Sequence, residues 1–165
     1  MHIAMNKTWA IVVVSLLEIA AASGAEQHAS GSYATDLSRV YEATQFIRAI
    51  KEGCDAAHKD TAAANAAAYN SWRKTHRSLL DELEGRFLAL IHGASTDEKD
   101  YSKNVGKYEG AVLQHREMLK QQFLSFPDDD VRRQCREFPR YLKSGEADLP
   151  KRFAEELISI RKRKL

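Results

Sequence analysis

Helix breakers are scarce in this chain: three prolines and eight glycines stand among 165 residues. Outside one apolar run near the N-terminus, no alternation of useful length signals a strand, and no repeat is visible. Charge of a single sign is lacking too, with 25 Lys and Arg against 23 Asp and Glu and a formal net charge of +2. That balance builds no field that would draw in nucleic acid, and it is not the high net charge of a disordered chain. Also missing are a Gly-x-Ser-x-Gly elbow, a His-Glu-x-x-His pair, a phosphate-cradling glycine loop and a dinucleotide fingerprint. Neither an enzymatic activity nor a cofactor is therefore expected.

A run long enough to cross a membrane is lacking as well, since spanning takes about 20 apolar residues and Trp9 to Leu17 stops short. What surrounds that run reads as a secretory leader. Lys7 lies in the short polar head, and Ala20-Ala-Ala-Ser-Gly-Ala25 makes a small-residue exit before Glu26. The expected cleavage follows Ala25, with Ser23 and Ala25 at the two positions where the peptidase needs small side chains. Glu18 fits this poorly, and the competing reading is a retained N-terminal anchor. Cleavage would leave a periplasmic or secreted protein of single-domain length. No Cys precedes Cys54, so a lipid-anchored cysteine is not expected at the new N-terminus.

The two cysteines, Cys54 and Cys135, are then read as one disulfide, as befits an even, small count in an exported chain. Without a Cys-x-x-Cys spacing they do not suggest a redox pair.

The rest of the chain is read as a flexible lead-in over residues 26–34 and one helical domain over residues 35–165. Leu37, Val40, Tyr41, Thr44, Ile47, Ile50 and Cys54 recur at intervals of one, three and four, predicting a helix capped by Thr35 or Asp36 and ending near Gly53. Tyr69, Trp72, His76, Leu79, Leu83, Phe87 and Leu90 predict a second, unbroken helix closed by Gly93 in a left-handed position. Ser95-Thr-Asp-Glu98 has the spacing of a capping box. Behind it, Tyr101, Val105, Tyr108, Val112, His115, Leu119, Phe123 and Phe126 form the stripe of a third helix. The short turn between these two makes an antiparallel hairpin.

Asp128 to Asp130 open a fourth helix, expected to break at Pro139. Asp148-Leu149-Pro150 starts the last, with Phe153, Leu157, Ile158 and Ile160 inward. The fold class is all-α, a bundle of four or five helices with a central antiparallel hairpin and one disulfide.

Three features carry the functional expectations. His76 and His115 fall at about the same level of the hairpin, where two imidazoles could hold a metal or haem iron. Neither has a carboxylate or histidine three or four residues away to complete a metal face. Arg132, Arg133, Arg136 and Arg140, with the tail Arg161, Lys162, Arg163 and Lys164, could meet an anionic surface. Cations at a helix C-terminus also answer the backbone dipole without a partner, and Glu137, Glu146, Glu155 and Glu156 dilute the patch. Tyr69, Trp72, Tyr101 and Tyr108 are read as core rather than as a ligand pocket. Export with no chemical site favours a non-enzymatic module that binds another exported or envelope protein. A metal- or haem-binding bundle and an envelope-surface protein using its basic C-terminal helix are the alternatives.

Overall fold

The computed structural model describes residues 29–163, so the leader over residues 1–25 and Lys164 lie outside the described residues. Among the described residues seven helical segments follow one another: α1 (Tyr33–Ala57), α2 (Ala62–Thr75), α3 (Arg77–Gly93), α4 (Glu98–Leu124), α5 (Asp128–Tyr141), α6 (Leu149–Arg152) and α7 (Ala154–Lys162). No strand occurs among the described residues. Counting α2–α3 and α6–α7 each as one broken helix gives five, and the fold is an all-α bundle.

Helix α1 is the axis. The rings of Tyr41 and Tyr108 lie 6.1 Å apart and Gly53 meets Phe123, so α1 and α4 run parallel. Tyr41 also lies 4.7 Å from Phe87, which brings α3 against the same helix. The C-terminal third returns along α1 in the opposite sense. Cys135 is joined to Cys54 late in α1, while Glu156 on α7 meets Arg39 near its start at 3.3 Å. Between these layers Leu37, Val40, Ile47, Leu83, Phe138, Leu149, Phe153 and Ile160 are buried, each contributing about 1.5–3 kcal/mol from the apolar surface it removes from water.

The termini of several helices differ from their expected places. Asp36 does not cap α1 but sits inside its first turn, fully buried, where its carboxylate accepts from the backbone N–H and the hydroxyl of Ser30, both at 2.8 Å. Gly53 does not end α1; its missing side chain makes room for the Phe123 ring. At the hairpin, Ser95 closes the preceding helix by donating to the Ile91 carbonyl at 2.7 Å, and Asp97 caps α4 by accepting from the Asp100 N–H at 2.8 Å. Gly93 ends α3 without a left-handed backbone, since Gly31 alone has positive φ among the described residues. Pro139 lies within α5 and does not stop it. Its missing N–H falls in the last turn, where the loss of one hydrogen bond is offset by buried Cys135 and Phe138 on the same helix.

The expected second helix is broken at His76. The backbone N–H of His76 donates to the Trp72 carbonyl at 3.0 Å, and ring Nδ1 approaches the same oxygen at 3.0 Å. A side chain that competes for a ladder carbonyl is a recognised cause of a helix break. Phe153, buried in the core, similarly separates α6 from α7. Of the expected last stripe, Ile158 is the exception and points outward.

Candidate functional site

The two histidines singled out in the sequence occupy different settings. His76 is buried, its ring 4.8 Å from that of Trp72, with Nδ1 on the Trp72 carbonyl and Nε2 3.9 Å from Asp148 Oδ1. His115 is half-buried on α4 and shares no hydrogen bond with His76 among the described residues. Nor do those residues gather three or more His, Cys, Asp or Glu side chains in a group that could hold a metal ion. A third histidine, His58, went unremarked in the sequence because it lies past the end of its stripe. It is buried at the C-terminus of α1, with Nε2 3.6 Å from Asp128 Oδ1. Its carbonyl accepts from the Thr61 hydroxyl, which in turn accepts from the Asn65 amide.

The aromatics have structural work. Tyr69 stacks on Trp72 at 5.9 Å, and the Trp72 indole N–H donates to the Ala147 carbonyl at 2.8 Å, tying α2 to the loop before α6. Phe87 and Tyr108 stack at 5.2 Å inside the hairpin, and burial raises the Tyr108 phenol well above its ordinary pKa. Tyr101 meets His92 edge-on nearer the turn.

Much of the C-terminal charge is used within the molecule. Arg161 lies against the Glu82 carboxylate, with Nε at 3.1 and 3.2 Å from its two oxygens. Arg163 lies over the Tyr33 ring at 4.8 Å. Arg86, which no sequence pattern marked, is buried and donates to the carbonyls of Ile160 and Arg163 at the end of α7. Arg132 pairs with Asp60 and Asp128, and Arg133 with Asp130. Arg136 and Arg140 are exposed on α5.

A concave feature among the described residues lies between α1 and α2. Arg48, Lys51 and Glu52 on α1 face Ala66, Tyr69, Asn70 and Arg73 on α2 across an open cleft of about 260 Å³. The α1 face forms because Arg48, Lys51 and Glu52 are three and four residues apart on one helix; Tyr69, Asn70 and Arg73 do the same on α2. Glu52 is shared by Arg48 at 3.0 Å and by Arg116 of α4 at 3.2 Å, while Lys51 pairs with Asp55. Four cations thus stand over two carboxylates. The Arg73 side chain has no hydrogen bond or ion pair among the described residues. Burial raises the Tyr69 phenol, against the opposing pull of Arg48, Arg73 and Lys51.

On each helix alone these residues look like an ordinary solvated face. Only the packing of α2 on α1 unites them, so the sequence carried no signal for the cleft. Beside it, Val112 and Leu119 lie on the α4 stripe that carries Arg116, and both remain half-exposed although the sequence placed them in the core. Comparison of the chain with protein-family models, with curated proteins and with solved structures found no match to any of them.

Proposed function

We propose that this protein is an exported, disulfide-closed helical module that holds another exported or envelope protein and performs no chemistry of its own. The observation that carries this reading is the cleft between α1 and α2. Its excess positive charge is left unanswered within the described residues, next to a half-covered apolar stripe on α4. A charged recess beside partly exposed apolar side chains is how protein interfaces are built, with apolar area for affinity and charge for register. The cleft is small and polar, unlike the mostly apolar pockets of 300–1,000 Å³ that take cofactors and other small ligands.

A buried Cys54–Cys135 disulfide suits an oxidising compartment. No helix among the described residues is long and apolar enough to cross a membrane. An anionic surface gripped by the C-terminal tail is a weaker reading, because Arg161 and Arg163 are already engaged by Glu82 and Tyr33.

The test is photo-crosslinking in the native cell, with a photoreactive amino acid at Asn70. A single adduct in the envelope or secreted fraction, suppressed by excess unlabelled protein, is expected. No saturable adduct there would count against a binding role.

A further inference from the structure

We propose that the cleft between α1 and α2 receives carboxylate side chains from an acidic segment of the partner, with Arg73 as the anchoring residue. This rests on the binding role proposed above. The argument begins with which cations are free to act. Arg48 and Arg116 converge on Glu52, and Lys51 is answered by Asp55. Arg73 alone among the cleft's cations is exposed and unpaired among the described residues, with its planar fork of donors uncommitted. Such a fork matches a carboxylate in two parallel hydrogen bonds. Asn70, also exposed and one helical turn away, adds an amide donor.

Size and openness decide the class of occupant. A recess of about 260 Å³ has room for one or two side chains, and its open mouth lets them arrive on a larger body. Arg48, held by a single ion pair, can also turn from Glu52 toward an incoming carboxylate. Arriving carboxylates therefore complete the charge balance of four cations over two anions.

The experiment titrates the leader-free protein with acetylated tetraglutamate amide, acetylated tetraglutamine amide and inorganic phosphate, followed by amide NMR shifts. Tetraglutamate should give saturable shifts at Lys51, Asn70 and Arg73, and tetraglutamine none. Arg73→Glu should weaken tetraglutamate binding by about tenfold or more, and Arg73→Lys less, because lysine keeps the charge and loses the fork. Arg73 is exposed, and an unchanged far-UV spectrum confirms that each variant is folded.

Equal shifts with tetraglutamine, or shifts centred on Arg136 and Arg140 or on the C-terminal helix, would overturn the assignment. Phosphate saturating the same amides at lower concentration would overturn it in favour of a small anion. A partner crosslinked at Asn70 but held equally well by Arg73→Glu would sink this inference while leaving the binding role intact. Tetraglutamate binding without any cellular adduct would sink the binding role, and the partner's segment with it, and leave only the cleft's preference for carboxylates.

Discussion

Gly53 on α1 and Phe123 on α4 touch because Gly53 has no side chain. A Cβ at position 53 would lie 2.6 Å from Cδ1 of the ring and 3.1 Å from Cε1, and Phe123 is buried, with little room to retreat. Gly53→Ala should therefore destabilise the protein by about 1–3 kcal/mol through overpacking, despite the better helix propensity of alanine. Gly110, inside α4 with nothing within 4 Å of its missing Cβ, is the control. There alanine should stabilise by up to about 1 kcal/mol. Urea unfolding of both variants checks the pair. Equal effects at the two positions would contradict the contact.

The Cys54–Cys135 crosslink spans 81 residues with both sulfurs buried. Replacing both cysteines with alanine should cost about 2–4 kcal/mol, chiefly by freeing the unfolded chain. Protein taken from its own compartment under acid quench should react with maleimide only after reduction and unfolding. Two thiols labelled without reductant would remove the support the crosslink lends to export.

Trp72→Phe should leave the Ala147 carbonyl without its indole donor, at 2.8 Å in the native protein. An unsatisfied buried acceptor costs about 1–3 kcal/mol. A chain cleaved after Ala25 retains Trp72 as its single tryptophan, so its fluorescence reports closure of the C-terminal third over α2. Thermal melts of the variant, followed by circular dichroism, supply the number, and an unchanged midpoint would argue against this bond.

Asp36 and Glu82 should both contribute to stability against acid. Burial pushes the Asp36 carboxyl up, but hydrogen bonds from Ser159 and Ser30, with Arg39 nearby, outweigh it and leave the pKa below its ordinary value. For Glu82 the hydrogen bonds of Arg161 act first, then Arg86, against partial burial, and the net direction is again down. A carboxyl lowered in the folded state takes up its proton more readily when unfolded. Its stabilisation is complete above the unfolded value, about 4, and is lost as pH falls through the lower, folded value. Denaturant melts from pH 7 to 2 should show stability falling below about pH 4, with a shallower fall in Asp36→Asn and Glu82→Gln. Identical slopes in variants and parent would refute the assignment.

The sequence made the helical class legible because Leu37, Val40, Ile47, Leu79 and Leu83 recur at the period of a helix, and backbone geometry leaves few other ways to bury them. The Cys54–Cys135 crosslink and the hairpin turn were readable for similarly local reasons. What escaped depends on partners distant in sequence. The break at His76 needs an imidazole competing for a particular carbonyl. Gly53 acquires its purpose from Phe123, and Arg86 from the end of α7. The α4 stripe was overread, because periodicity tells which residues share a face and not whether anything covers it. The cleft was illegible for a further reason: Arg48 and Arg73 belong to separate, unremarkable polar faces.

Helix α7 covers the start of α1: Glu156 meets Arg39, and Ile160 is buried in the same core as Leu37 and Val40. Such long-range closure forces an order on biosynthesis. A nascent polypeptide carries the oily side of α1 bare until α7 has emerged to cover it, and no intermediate lacking α7 owns a finished interior. The same arrangement makes the loss of α7 an injury to the start of α1, more than a hundred positions away.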